Sequence, residues 1–440
     1  MLARRLALGA ALACAGIAAH AQSLQALYDA ARGHDATYLA ARAQADSAPF
    51  KAAQADALMR PSIGLGASDT QTRTEIASGR EFTTNSLAAS LSARQPLFNR
   101  PNSVSIEQSR KVLDAAYADL ALAEQDLILR VAQAYFDVLA AQDSLATTRT
   151  SKVAITEQLA AAKRNFEVGT ATITDTREAQ ARFDLARAQE IAAENDLRSK
   201  RIALDLLVGL EGSEPRPLRK PVRLPDQLLA QDVQAWVDAG LATHPAVQRA
   251  RDALDVARLE TEKARAGHLP TVDLVGSIGP NRLTGSGAVY SINGPGTTTS
   301  ASIGIQLNVP LYSGGAVQNR VKETLALEAK SEQDLEAARR TVAQATRQTY
   351  ASLESGRAQV AALEAAEASS QLALEATLTG YKVGVRVNVD VLNAQTQLYT
   401  TQRDLARARY DVLTGALRLR QAAGQLSATD VALIESLVER

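Results

Sequence analysis

Long stretches of the chain repeat hydrophobic residues at intervals of three, four and seven, the spacing of amphipathic and coiled-coil helices. The clearest runs from Ser103 to about Val168, where neither Gly nor Pro interrupts the pattern. At 1.5 Å per residue, this segment predicts a helix of roughly 95 Å. A second pattern with the same spacing spans 317–381 and contains Gly356. One globular core cannot enclose helices of this length, so we predict coiled-coil elements.

Segments of alternating hydrophobicity precede each long helix and predict two pairs of β-strands. In one of them, Leu87, Ala89, Leu91 and Ala93 fall on a single face. A polar, glycine-containing stretch separates the strands of each pair and predicts a loop. The predicted strands are 62–68, 86–97, 271–278 and 300–307, and the predicted loops are 70–84 and 279–299.

The order helix, strand, loop, strand, very long helix, hairpin, helix occurs twice, which makes the chain an internal repeat. Each half begins with a helical segment, 23–59 and 233–267, and ends with a shorter helix, 174–208 and 388–423. The predicted organisation is a signal peptide at 1–21, a first repeat at 22–210, a Pro-rich linker at 211–231, a second repeat at 232–424 and a short tail at 425–440.

Each long predicted helix ends with an aromatic residue that is followed within three residues by a glycine. The two segments that begin there have similar sequences. The first turn runs from Phe166 to Asp175, and the second from Tyr381 to Asp390. In each, a Gly interrupts the helix, β-branched residues follow, and a polar residue begins the next helix. Both segments therefore predict the tight end of a helical hairpin.

Composition narrows the class of function. Lys+Arg and Asp+Glu both number 48, so the formal net charge is zero. A nucleic-acid partner requires a basic face, and we therefore expect none. Aromatic residues make up only 4% of the chain, typical of long packed helices. The spacing of His34, His244 and His268 does not match a metal site, so we expect these histidines to lie at the surface or to serve packing. Hydrolase and dinucleotide-binding motifs are absent from the sequence, so we expect neither a cofactor nor enzyme activity.

The N-terminus has the pattern of a secretory signal. Arg4 and Arg5 precede an apolar stretch at 6–17, and Ala19-His20-Ala21 matches a cleavage site. Cys14 lies inside this segment; an alternative is that it is lipidated, although 11–13 match a lipoprotein signal poorly. No later run reaches the roughly 18 apolar residues of a membrane helix. The predicted location is the periplasm, the cell exterior or a β-barrel membrane.

The layout resembles the TolC-type outer-membrane factors, the exit ducts of Gram-negative type I secretion and multidrug efflux systems. The resemblance extends from Ser23 to Gly424 and includes the two Val-Gly turns and the Pro-aromatic patches at 95–98 and 309–312. It implies an α+β membrane protein: a homotrimer with a 12-stranded outer-membrane β-barrel, four strands from each chain, continuous with a 12-helix coiled-coil periplasmic tunnel. Three chains would indeed supply enough strands to close a barrel.

The same resemblance implies partners and a mode of action. The partners would be outer-membrane lipid, a periplasmic adaptor protein and an inner-membrane ABC or RND pump. The duct would be passive and would open at its periplasmic tip. Cargo, and the choice between type I secretion and efflux, are left open by the sequence. Two alternative functions also stay open: a soluble periplasmic coiled-coil adaptor or scaffold, and a lipid-anchored efflux factor of the same fold.

The resemblance also assigns roles to residues at the two turns. It places a periplasmic gate at Asp390 and Asn393, where the family pattern has a carboxylate at both. Links that close the tip would join Asp175 to Tyr381 and Thr174 to Arg386; a further linking position is Gln158, whose acidic partner is replaced by Leu378. The implied adaptor contacts are Val168, Gly169, Thr170, Val383, Gly384 and Val385.

The residues alone allow a simpler interpretation of the same positions. Asp175 and Asp390 each lie in the first turn of a helix, where a carboxylate is favoured, and Asp175-x-x-Glu178 resembles a capping box. Gly169 and Gly384 are explained as helix C-caps. Both interpretations stay open at this point, because a cap can also expose the turn that it forms.

Overall fold

The computed structural model describes residues 22–219, 232–292 and 294–435, which form thirteen helices and strands. The predicted signal peptide and residues 220–231 of the predicted linker lie outside the described residues. In chain order the elements are α1 (Leu24–His34), α2 (Ala36–Asp56), β1 (Ser62–Glu75), β2 (Glu81–Phe98), α3 (Arg100–Glu167), α4 (Ile173–Val208), α5 (Val233–Thr243), α6 (Pro245–Arg265), β3 (Thr271–Thr284), β4 (Gly296–Asn308), α7 (Ala316–Lys382), α8 (Asn388–Ala422) and α9 (Ala428–Glu435).

The two very long helices are confirmed. Helix α3 has 68 residues and α7 has 67, which corresponds to about 100 Å each. Pro101 lies in the first turn of α3, where the missing N–H would have had no helical partner. The helix, strand, strand, helix, helix order also occurs twice, as the internal repeat predicts.

The predicted loops were too long, because both strand pairs extend much further than the apolar alternation. Strand β1 continues to Glu75 and β2 begins at Glu81, so only a short turn remains, with Gly79 at φ 74°. Threonine is frequent in these extensions, and cross-strand hydrogen bonds form whether or not a side chain is apolar. In the second pair, β3 and β4 take up much of 279–299, and a 3₁₀ turn occupies 288–290.

The predicted short tail contains a helix. Ser427 and Asp430 cap the start of α9, where the Asp430 carboxylate accepts a hydrogen bond from the Ser427 N–H at 3.0 Å. Asp430 also forms an ion pair with Arg420 of α8. Val431 and Ile434 are buried, so the helix is held by packing that the short sequence pattern did not reveal.

The four strands form one antiparallel sheet in the order β1-β2-β3-β4. The register aligns Leu65 with Leu91, Leu91 with Ile278, and Ile278 with Ala301, and paired residues share a face. One face carries most of the apolar residues of the sheet, together with Asp69, Gln95 and Arg282; its apolar residues are Ile63, Leu65, Ala67, Leu87, Ala89, Leu91, Ala93, Val272, Leu274, Ile278, Ala301, Ile303, Ile305 and Leu307. The other carries mainly small and polar residues, including Ser62, Gly64, Ser90, Ser92, Arg94, Asp273, Ser277, Ser302 and Gln306.

Contacts divide the chain into two compact units. The described residues of the first are 22–42, 120–219, 232–247 and 339–435. Its largest core surrounds Tyr135 and Phe136, whose rings meet edge to face at a centroid distance of 5.6 Å. Burial of these aromatic rings with Leu and Val side chains packs the middle of α3 against α1, α4, α8 and α9.

The second unit comprises 43–119 and 248–338 and contains the sheet and the helix segments that flank it. Polar contacts connect α3, α6 and α7 there. Glu260 is the centre of one network: its carboxylate accepts hydrogen bonds from Gln108 at 3.1 Å and Arg320 at 2.7 Å, and lies 2.5 Å from the Lys263 ammonium. Helices that are poor in apolar residues can be joined in this way without a large core.

Both halves of the repeat use a histidine and a glycine in the same manner. Gly209 and Gly424 follow α4 and α8 with φ of 71° and 66°. A Cβ atom at Gly209 would overlap the ring of His34, and one at Gly424 would overlap His244. Two of the three histidines outside the predicted signal peptide therefore have a packing role.

Candidate functional site

The two hairpin turns have the same backbone structure. Gly169 and Gly384 are in the left-handed region, with φ of 78° and 83°. The N–H of Thr170 donates to the Asn165 carbonyl at 2.8 Å, and the N–H of Val385 donates to the Gly380 carbonyl at 2.9 Å. Each glycine thus ends a long helix by satisfying its last carbonyl groups, as the C-cap interpretation predicted.

The turns present apolar side chains to solvent. Val168, Val383 and Val385 are 72%, 70% and 76% exposed, and Gly169, Gly384 and Thr170 lie beside them. The capping glycines hold this backbone in place without a side chain of their own. The arrangement leaves a small exposed apolar surface at the end of each hairpin.

Asp175 takes part in a capping box at the start of α4, although its partner differs from the predicted one. The Thr172 hydroxyl accepts a hydrogen bond from the Asp175 N–H at 3.2 Å, and the Asp175 carboxylate accepts from the Thr172 N–H at 3.0 Å. This reciprocal pair is a capping box with Thr172 at the N-cap position. The predicted Asp175–Glu178 box was wrong by one turn, since Asp175 is the third residue of the helix and not its cap.

Asp390 occupies the equivalent position at the start of α8, but its cap is incomplete. Its carboxylate accepts from the Val387 N–H at 3.4 Å, while Val387 has no hydroxyl to return the bond. The Arg386 guanidinium lies 3.7 Å from the same carboxylate. The predicted acidic gate residue is therefore partly exposed, weakly capped and already paired with a cation of its own chain.

The described residues do not bring together the predicted tip-closing pairs. The Tyr381 hydroxyl accepts a hydrogen bond from the Asn165 side-chain amide at 3.1 Å, and Asp175 is bonded to its cap. Thr174 is exposed, and Arg386 lies against Gly380 and faces Asp390. Within one chain, Asn165–Tyr381 is a hydrogen bond that joins the two hairpins near their tips.

The departure from the family pattern at Leu378 also has a structural counterpart. Leu378 packs on an apolar cluster formed by Leu374, Val391 and Leu398. The side-chain oxygen of Gln158 is buried and lacks a hydrogen-bond partner among the described residues. Leu378 therefore has an apolar role in this structure, and the link between Gln158 and an acidic partner stays a prediction that the Leu at this position disfavours.

Asn393 has a partner that the sequence did not reveal. Its amide oxygen accepts a hydrogen bond from the Arg182 guanidinium at 2.9 Å. Arg182 lies on α4 and is 211 residues away in sequence, so neither periodicity nor motif spacing marks the pair. The apolar contacts of Leu392 with Ile155, Leu159 and Ala179 bring α8 onto the first hairpin and place the two polar groups in reach.

Two further observations concern what the described residues lack. None of their helices combines the length and the apolar character required to span a membrane. Among the same residues, no group of three or more His, Cys, Asp and Glu side chains is arranged to hold a metal ion.

Comparison with known proteins places this fold and these hairpins among outer-membrane proteins. The chain is 35% identical over 432 residues to the outer membrane protein TolC of Vibrio cholerae, covering 97% of this chain and 96% of that protein. It is 36% identical over 370 residues to the alkaline protease secretion protein AprF of Pseudomonas aeruginosa, covering 83% and 75%. The crystal structure of the outer membrane protein VceC from Vibrio cholerae superposes with a TM-score of 0.77 at 19% identity, covering 91% of this chain and 96% of that one.

The family model for outer membrane efflux proteins matches residues 27–210 and 236–425. These two segments contain both long helices, both strand pairs and both hairpin turns. The chain therefore belongs to the outer membrane efflux protein family.

Proposed function

We propose that this protein is the outer-membrane channel of a type I secretion or efflux system, a passive duct without chemistry of its own. Three copies together form a 12-stranded barrel and a 12-helix periplasmic tunnel. The relatives support this assignment, because one is named for protease secretion and others are outer membrane proteins. The two repeats, 22–210 and 232–424, and the segment at 211–231 between them, are the parts of each protomer.

The observation that carries the proposal is the two-faced sheet. Its strands are 13 to 18 residues long, more than the 9–11 or so required to cross an outer membrane. The apolar face suits lipid, and the Ser- and Gly-rich face suits a water-filled lumen. Phe98 and Tyr312 are exposed at the end of β2 and just beyond β4, where barrels carry interfacial aromatic residues.

Closure of the sheet requires more than one chain. Strands β1 and β4 are the edges of the sheet, and each has a neighbour on one side only. Four strands cannot form a closed barrel, whereas unpaired edges inside a membrane are prohibitively costly. Pairing of β4 of one protomer with β1 of the next, three times in succession, removes every edge.

The hairpin turns supply the contacts to the other components. The exposed Val168, Val383 and Val385 lie at the turns and suit an apolar contact with a periplasmic adaptor. The adaptor links the duct to an inner-membrane ABC or RND pump, which provides the energy. Bulky substitutions at Gly169 and Gly384 should abolish export while leaving trimers intact, since left-handed backbone disfavours any side chain.

The gate is formed by the start of α8. Asp390 is the acidic group of this segment, and three copies of it around one axis attract cations. Opening separates the second hairpin from the first and breaks the Asn165–Tyr381 and Arg182–Asn393 hydrogen bonds. Asp390→Asn should lower cation selectivity in planar bilayers; unchanged selectivity would exclude Asp390 from the gate.

A matched pair of strand substitutions tests the barrel. Ile303→Arg places a charge on the apolar face, at a cost of about 2–4 kcal/mol near the bilayer midplane. Ser302→Arg places the same charge on the polar face, with loss of the Ser277–Ser302 hydroxyl contact. Ile303→Arg should deplete trimers from outer-membrane fractions, and Ser302→Arg should leave their amount close to that of the wild type.

Equal amounts of the two variants would contradict a lipid-facing strand surface. Release of the wild-type protein from membranes by carbonate would favour the soluble scaffold instead. Mass spectrometry of the mature N-terminus separates the lipid-anchored alternative, because acylation at Cys14 would add a defined mass. Both measurements can be made on the full-length protein in cells.

A further inference from the structure

The first turns of α8 have one buried side and one solvent-facing side. Asn388, Val391, Leu392 and Gln395 are buried within the protomer. Asp390 and Asn393 lie one turn apart on the opposite side, where Asp390 is partly exposed and Asn393 is exposed. Whatever passes this surface of α8 therefore meets these two positions in succession.

The charges at this level do not form a purely acidic surface. The carboxylate of Asp390 faces the Arg386 guanidinium at 3.7 Å. One turn further along, the Arg182 guanidinium is held at Asn393 by a 2.9 Å hydrogen bond. Two arginines thus accompany one carboxylate at the start of α8.

Arg182 keeps its full charge in this position. A guanidinium is protonated at any physiological pH, and an amide oxygen can orient it without neutralising it. In the part of the chain that the structure describes, its hydrogen-bond partner is the neutral Asn393 and not a carboxylate. The nearest acidic residue along α4, Asp184, accepts hydrogen bonds from Gln180 at 3.2 and 3.3 Å.

We propose that Arg182, positioned by Asn393, is a specificity-determining residue of the channel: it forms a cationic ring one helical turn from the Asp390 carboxylates. The inference rests on the proposed trimeric gate and adds to it a second ring of opposite sign. Compared with a constriction that carries the Asp390 carboxylates alone, this one admits anionic groups more readily, such as the carboxylates of acidic cargo. It also attracts divalent cations less strongly.

The expected size of the effect follows from Coulomb's law. One unit charge about 6 Å from a permeating ion in water changes the local ion concentration about threefold. Because cations and anions respond in opposite directions, removal of the Arg182 charge should raise the cation-to-anion permeability ratio about tenfold or more. Removal of the Asp390 charge should lower it by a similar factor, and the double variant should lie close to the wild type.

The test is the reversal potential of single channels in a KCl gradient across a planar bilayer, with purified trimers. Arg182→Gln removes the charge and keeps a hydrogen-bond donor for Asn393, whereas Arg182→Lys keeps the charge. Arg187→Gln is the matched control: it makes the same substitution on α4, at an exposed residue on a different side of the helix. Block by millimolar Mg²⁺ provides a second readout.

The proposal predicts a shift toward cations and stronger Mg²⁺ block for Arg182→Gln, with Arg182→Lys and Arg187→Gln like the wild type. A role of Arg182 in packing alone would change conductance or trimer yield without changing the permeability ratio, and would overturn the proposal. If Asp390→Asn shifts the ratio while Arg182→Gln does not, the gate stands and the cationic ring is wrong. If neither shifts it, the proposed gate fails as well.

Discussion

Glu260→Gln offers the sharpest test of how the helices near the sheet are held together. The carboxylate contacts Gln108, Lys263 and Arg320, and its side chain is only 23% exposed. Burial alone would raise the pKa of Glu260, but the hydrogen bonds from Lys263, Arg320 and Gln108 outweigh it and lower the pKa from 4.5 to about 2. The charged form is therefore strongly preferred in the folded protein.

The pKa difference sets an upper limit on the stabilisation. The interval between 4.5 and about 2 corresponds to at most about 3 kcal/mol. The amide that replaces the carboxylate would still accept one hydrogen bond, and solvent screens part of the charge, so we expect a loss of about 1–2 kcal/mol. Because the folded-state pKa is the lower one, the stabilisation is complete above about pH 4.5 and disappears as the pH falls through about 2.

Hydrogen exchange followed by mass spectrometry measures this loss of stability at individual segments of the chain. Amides of α6 near residue 260 should exchange about 5–30 times faster in Glu260→Gln than in the wild type at pH 7. The difference should shrink at pH 3. The control is Glu323→Gln, since Glu323 also contacts Arg320, at 2.9 Å, but is 56% exposed and should matter little. Equal exchange in the wild type and Glu260→Gln at pH 7, or a difference that grows in acid, would refute the reasoning.

Two other changes have defined outcomes. Thr172→Ala should destabilise the start of α4 by about 1 kcal/mol because it removes a capping box, and Val387→Thr should stabilise the start of α8 by a similar amount because it completes one. Hydrogen exchange of the backbone amides at the two tips measures both effects. The same change in exchange rate at both tips would argue against the cap assignment. Gly424→Ala should lower thermal stability more than Gly212→Ala, because both glycines have positive φ but only the first adds a clash with His244; similar melting temperatures for the two variants would contradict this.

The sequence predicted the helices far better than the ends of the strands. In α3, more than sixty consecutive residues with hydrophobic periodicity and without Gly or Pro predict a helix. A glycine in the left-handed conformation marks where that helix ends. The strand extensions were missed because Thr, Asn and Arg carry no alternating pattern when both sheet faces near the turn are polar. Helix α9 was missed because its burial depends on residues of α1 and α3.

The site was predictable only where its contacts are local. The turns, their glycines and the presence of Asp175 and Asp390 near helix starts could be anticipated from spacing. The partners Asn165–Tyr381 and Arg182–Asn393 could not, because each pair joins residues more than 200 positions apart. A resemblance transfers a position to a new sequence, but the side chain found there takes whichever partner its own neighbours provide.

The two turns share one backbone structure but start their following helices differently. In the proposed trimer, three turns with Thr172 caps alternate with three turns that begin at Val387. A ring of six equivalent turns would have sixfold symmetry, but the two turns differ at several positions, among them Thr172 and Val387, so the symmetry is threefold. The complete capping box holds the helix start more firmly in one set of three turns than in the other.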